Sequence, residues 1–120
     1  MRCHSKAPPM TNLLLAQCDP KAPLMDADTR ARVLAQLPGW AADAGQQVIG
    51  RRFGFANFYQ TMAFVDAVAE IAHAQDHHPE MLVAYDACTV SFTTHSRGGL
   101  TLNDAICAAQ VGALPEATAG

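Results

Sequence analysis

Four of the five histidines, His73, His77, His78 and His95, fall within a stretch of 23 residues, and His4 stands apart near the N-terminus. An imidazole with a pKa of about 6.5 gives or takes a proton at neutral pH, and neighbouring imidazoles in different environments can hold opposite roles. The chemistry suggested is acid–base catalysis without a cofactor. Each member also has a plainer explanation. His73, near a helix end, can bond the last free carbonyls and offset the helix dipole. The pair His77-His78, directly before Pro79, can simply end a helix, and His95 can be a solvated residue at the polar end of a strand.

A metal site is the second alternative. His73 and His77 are four residues apart on a predicted helix and could face one ion, with His95 or Cys88 completing the set. The pair lacks the internal Glu of a zincin helix, adjacent His77 and His78 point in different directions, and no acidic ligand has diagnostic spacing, so no metal is expected. The sequence contains no Gly-x-Ser-x-Gly elbow, Cys-x-x-Cys pair, phosphate loop or Gly-x-Gly-x-x-Gly fingerprint. Asp104 follows Thr101 with the spacing of a capping box, a structural duty that does not exclude a chemical one. Tyr85, in a predicted strand, suits a core or interface position with its hydroxyl at the rim.

The elements that must position these residues run in the order α-β-β-α-β-β-α. Asp26 and Asp28 start a short helix with Ala31, Leu34 and Leu37 on one side, which Pro38-Gly39 stops. Residues 40–44 and 47–55 are predicted strands around a turn, with Ile49, Phe53 and Phe55 on one face and Arg51 intruding in the same register. Over residues 57–74, Phe58, Met62, Val65, Ala69 and Ala72 recur at helical spacing and predict the main core helix. After the histidine corner, residues 81–85 and 88–95 form a second predicted strand pair; Cys88, Val90 and Phe92 face the core, and Thr89, Ser91, Thr93 and His95 the polar side. Gly98-Gly99 leads into a last helix with Leu102, Ile106 and Ala109 as its buried stripe. Short turns within each strand pair favour an antiparallel sheet with helices on one face, an α+β fold.

The 120 residues suit one domain, expected over residues 26–114, with a Pro-rich extension (1–25) outside the main fold and a short tail (115–120). Half the residues are apolar, 16% are charged and the net charge is −3, with only Arg51 and Arg52 adjacent among the basic residues, so direct nucleic-acid binding is disfavoured. Nothing approaches the roughly 18 uninterrupted apolar residues of a membrane span, and no secretion signal is visible. Cys3, Cys18, Cys88 and Cys107 have neither zinc-ribbon spacing nor disulfide-scaffold density, which points to reduced thiols and a soluble cytoplasmic protein.

The spaced set His73, His77-His78-Pro79, Tyr85, His95 and Asp104 resembles the signature of the pterin-4a-carbinolamine dehydratases. The likeness extends through Gly39-Trp40, Phe53-Gly54-Phe55, His77-His78-Pro79-Glu80, Thr94-His95 and Gly99-Leu100-Thr101 to the last helix, leaving only the two ends outside it. The resemblance implies dehydration of 4a-hydroxytetrahydrobiopterin to quinonoid dihydrobiopterin, in the recycling of tetrahydrobiopterin, with no metal or organic cofactor. It implies a four-stranded antiparallel sheet with two to three helices packed on one face, assembled as homodimers or homotetramers. It carries catalytic roles to His77, His78 and His95, pterin-pocket positions to Asp76, Thr93, Thr94 and Ser96, and a supporting role to Asp104. His73 stands where family members often have Glu, which removes a carboxylate unless Glu70 or Asp76 substitutes. The alternative from another class is a non-catalytic protein-binding regulator on the same fold.

Overall fold

The structure is a computed structural model and describes residues 10–118. Eight regular elements follow one another: α1 (Met10–Leu15), α2 (Ala27–Leu34), β1 (Ala41–Ala42), β2 (Ile49–Gly54), α3 (Phe58–Gln75), β3 (Glu80–Val83), β4 (Ala87–Phe92) and α4 (Leu102–Gly112). The four strands form one antiparallel sheet in the order β1-β2-β4-β3. This is the expected α+β fold, with an additional helix, α1, before the predicted order begins.

Alternation along the central strands decides which side of the sheet is covered. Ile49 and Phe53 of β2 and Cys88, Val90 and Phe92 of β4 are buried in one core with Phe64 and Val68 of α3 and Ala105, Ile106 and Ala108 of α4. The cross-strand partners Arg52 and Thr89, and Gly50 and Ser91, occupy the opposite, polar face. Phe64 sits between Phe53 and Phe55, with ring centroids 4.6 and 5.2 Å away, so a ring of α3 is held by one from β2 and one from the residue just after it. Arg51 keeps the core-side register because its stem can lie along apolar surface while its head turns away. Its guanidinium lies 4.4 Å from the centre of the Phe53 ring, and Nη1 donates to the Pro38 carbonyl at 3.3 Å.

The buried faces of two helices differ from expectation. The buried stripe of α3 is Thr61, Phe64, Val68, Ala72 and Gln75, so that Ala72 alone is shared with the predicted face, and Phe58 is 46% exposed. The helix is apolar on more than one side, and spacing cannot choose between two stripes; the winning one includes polar residues that find partners inside. Thr61 Oγ1 lies 3.0 Å from the carbonyls of both Asn57 and Tyr85, and Gln75 bonds the chain at residues 16 and 18 and the side chain of Gln110. Helix α4 is buried on nearly every side, beyond the predicted stripe, because its small residues Ala105, Ala108 and Ala109 let neighbours approach closely, while Leu102 is only partly covered.

The segment 13–25, set apart in the sequence as a lead-in, is packed against the rest. Leu13 is fully buried, α1 lies on α4, and Gln110 Nε2 donates to the carbonyls of Leu14 and Ala16 at 3.2 and 3.1 Å. Farther on, the Met25 N–H donates to the Leu100 carbonyl at 2.9 Å. A short apolar run is enough to dock a six-residue helix when a side chain of the partner helix bonds its last free carbonyls. Of the predicted tail, residues 115–118 form a 3₁₀ turn against α3, with Ala117 packed on the core, whereas residues 1–9 and 119–120 lie outside the described residues.

Candidate active site

The corner that carries His77 and His78 is made by the way α3 ends. Asp76 adopts the left-handed conformation (φ 51°, ψ 41°), which a short polar side chain tolerates better than most, and the N–H of His77 closes back on the Ala72 carbonyl at 3.2 Å. Pro79 then bars any return to helix and biases His78 toward an extended conformation, so the two imidazoles leave the chain on opposite sides.

His77 turns inward. Its Nε2 lies 2.6 Å from Oδ1 of Asp104, and its ring stacks on Phe92 with centroids 6.0 Å apart and planes 10° from parallel. Asp104 has no exposed side-chain surface. Its second oxygen, Oδ2, accepts from the Thr94 hydroxyl at 2.8 Å and from the Thr101 backbone N–H at 2.9 Å. The latter bond is half of the capping box expected at the start of α4, with Thr101 accepting in return from the N–H of Asn103. One buried carboxylate therefore starts a helix, fixes a threonine and holds an imidazole. The Asp104 hydrogen bond is the main reason that the pKa of His77 is raised above its ordinary 6.5; partial burial opposes it without cancelling it.

A pH dependence of stability follows. Below about pH 6.5, His77 is protonated in both folded and unfolded chains and the stabilisation from its charged pair is fully present. As pH rises from there through the raised folded-state value, the pair must surrender its proton and the contribution disappears. The stability difference between the wild type and His77→Gln, from urea unfolding, is expected to shrink across that window. A difference that stays level with pH would show that the charged pair does not stabilise the fold.

His78 turns outward. Its exposed ring meets His73 edge-on, with centroids 5.9 Å apart, and it lines a cleft of about 400 Å³ on the polar side of the sheet with Val48, Ser91, Thr93 and His95. His95 is displaced from its predicted place: β4 ends at Phe92, the Thr94–Gly99 bridge closes a tight loop, and His95 opens a 3₁₀ turn, His95–Arg97, instead of ending the strand. Thr93 donates from Oγ1 to the Gln47 carbonyl at 2.6 Å.

The residues named from the sequence thus divide between two clefts. Asp76, His77, Thr94 and Ser96 line a second one of about 390 Å³, together with Cys18, Gln75 and Asn103. His78, Thr93 and His95 line the first. His73 borders the first through its contact with His78, and Asp104 lies beneath the second. Cys18 and Asn103 were not candidates, and no spacing could have indicated them, since they meet only because the segment after α1 folds back on α4. Among the described residues, no group of three or more His, Cys, Asp or Glu side chains converges as a metal-binding set, and no helix is long and apolar enough to cross a membrane.

Fold and site define a small α+β protein with imidazoles on both sides of one helix-to-strand corner and a buried acid behind them. The sequence profile described as Pterin 4 alpha carbinolamine dehydratase matches residues 22–114, and the chain belongs to that family. A protein of Stenotrophomonas maltophilia (strain K279a), provisionally named pterin-4-alpha-carbinolamine dehydratase, is 52% identical over 86 residues, covering 72% of this chain and 74% of its own. A protein of Nitrosomonas europaea with the same provisional name is 44% identical over 103 residues, covering 85% and 89%. Among solved structures, a transcriptional coactivator/pterin dehydratase from Brucella melitensis superposes with a TM-score of 0.72 at 32% identity, over 75% of this chain and 96% of that one. A pterin dehydratase-like protein identified as a RuBisCO assembly factor in the alpha-carboxysome shares the fold, with a TM-score of 0.55 at 24% identity over 68% of this chain and 90% of that one.

Proposed function

We propose that this protein is a 4a-hydroxytetrahydrobiopterin dehydratase, a cofactor-free hydro-lyase acting in tetrahydrobiopterin recycling in the cytoplasm. In the reaction the C4a–OH bond breaks, N5 loses its proton, and the C4a–N5 double bond of quinonoid dihydrobiopterin forms with release of water. An imidazolium that protonates the departing hydroxyl avoids expelling hydroxide, and a neutral imidazole takes the N5 proton.

The observation that carries this reading is the unequal setting of the histidines. His78 and His95 face one cleft, whose volume of about 400 Å³ falls within the usual range for a small organic ligand, and they are the pair suited to divide acid and base work on one substrate. His77, favoured in its charged form by Asp104, supplies the third imidazole from the adjoining cleft, with Asp76, Thr94 and Ser96 beside it as pterin-binding groups. His73 packs against His78 and acts on it as a supporting residue.

A second reading, a protein-binding regulator, draws support from the exposed Tyr59, Leu82 and Tyr85, and from Phe58 stacked on Tyr85 with centroids 6.2 Å apart. We assign that apolar surface to homo-oligomer formation. Stopped-flow absorbance of freshly generated 4a-carbinolamine separates the two readings. Decay is expected to accelerate in proportion to protein concentration, and decay at the protein-free rate would remove the enzyme reading.

A further inference from the structure

Cys18 and Cys107 are 89 positions apart, yet their sulfurs stand 3.7 Å from each other. The approach is held by buried side chains on two helices. Gln75 Oε1, at the end of α3, accepts the Cys18 N–H at 2.8 Å. In α4, Asn103 bonds both faces of the next residue: its Oδ1 accepts the Asp19 N–H at 2.9 Å and its Nδ2 donates to the Asp19 carbonyl at 2.8 Å. Two thiols set this close need only about 1.7 Å of further approach to reach the roughly 2.05 Å of an S–S bond. That movement falls to the irregular segment after α1.

The two thiols are unlike. Cys18 is partly exposed and lines the His77 cleft; Cys107 is fully buried. A hydrogen bond from Cys107 lowers the pKa of Cys18, helped by the charge of His77 and opposed by burial and by Asp104. The same hydrogen bond and burial hold Cys107 far above the ordinary thiol value. An accessible sulfur with a lowered pKa beside a buried partner that resolves the intermediate is the arrangement thiol–disulfide exchange requires.

We propose that Cys18 and Cys107 form a modification site for small-molecule disulfides, at which oxidation fastens the segment after α1 to α4 beside the His77–Asp104 pair. With glutathione disulfide, the Cys18 thiolate attacks one sulfur, forms the mixed disulfide and expels one glutathione thiolate. Cys107 gives its proton to that thiolate, attacks the Cys18 sulfur and expels the second glutathione as a thiolate, which takes up from water the proton that Cys18 released. The protein dithiol loses two electrons, and one glutathione disulfide becomes two thiols. The proposal rests on the cysteine geometry and not on the reaction proposed above, although Cys18 shares the cleft of His77.

Reduced full-length protein is incubated with glutathione disulfide, quenched in acid, alkylated under denaturing conditions and mapped by mass spectrometry. Cys18 and Cys107 are expected to lose alkylation together and appear as one cross-linked peptide pair, while Cys88, buried elsewhere in the core, remains labelled. The oxidised protein is expected to melt at a higher temperature, since a cross-link over so long a loop restricts the unfolded chain. Cys107→Ala should stop the reaction at a glutathionyl adduct on Cys18; if that variant does not fold, the wild-type peptide map decides alone. Retention of alkylation at both cysteines after oxidation, or pairing of Cys18 with Cys3 or Cys88, would overturn the proposal.

Discussion

Asp104→Ala is expected to lower folding stability by about 4 kcal/mol, within the roughly 2.5–8 that follow from losing half a capping box, about 0.5–2, and leaving two other buried partners unpaired, about 1–3 each. Three groups lose their acceptor together: the Thr101 N–H, the Thr94 hydroxyl and the His77 ring. A domain of this size has about 5–15 kcal/mol of stability in total, so the loss would remove between about a quarter and most of it. Urea unfolding measures the loss directly, and a change below about 1 kcal/mol would mean that surrounding groups or water replace the carboxylate. Asp104→Asn keeps the shape and part of the bonding but not the charge. It should recover part of the stability while returning the His77 pKa toward its ordinary value, as read by NMR titration.

His78→Ala has the opposite profile. The ring is exposed and its edge-on contact is with another exposed histidine, so the stability change should stay within about 0.5 kcal/mol. If His78 exchanges a proton with the pterin, dehydration should slow by roughly 10²- to 10⁴-fold. Activity within a few-fold of wild type would return His78 to the role of a helix-ending residue, and so would a rate loss that tracks unfolding. The two variants together separate chemistry from architecture: one histidine is expected to matter for rate alone, and the acid behind its neighbour for both.

Much of this was legible in the chain because the relevant signals are local. Alternating Cys88, Val90 and Phe92 needed only a sheet to become the dry face. The Thr101 to Asp104 spacing became a capping box. Divergence of His77 and His78 follows from their adjacency before Pro79. What escaped depends on distant partners. Choosing the buried stripe of α3 required knowing that Thr61 would meet the Tyr85 carbonyl, and the docking of segment 13–25 rests on Gln75, Asn103 and Gln110, far along the chain. The place of His95 turned on a single bridge, Thr94 to Gly99, which ends the strand's alternation before the histidine is reached. Spacing thus drew attention to the histidines but could not show that the residues named with them divide between two clefts.

That division has an evolutionary consequence. The side chains around His78 and His95 project from a sheet face and a surface turn, so mutation there can drift with little penalty to folding. His77 is tied through Asp104 to the first turn of α4, and a lineage that loses that pair must rebuild part of the core. Under the dehydratase reading proposed above, a descendant released from selection on that reaction would shed the outer imidazoles first and keep the inner pair, leaving the scaffold intact for another use. The order in which these residues vanish among relatives would record which of them served the reaction and which served the fold.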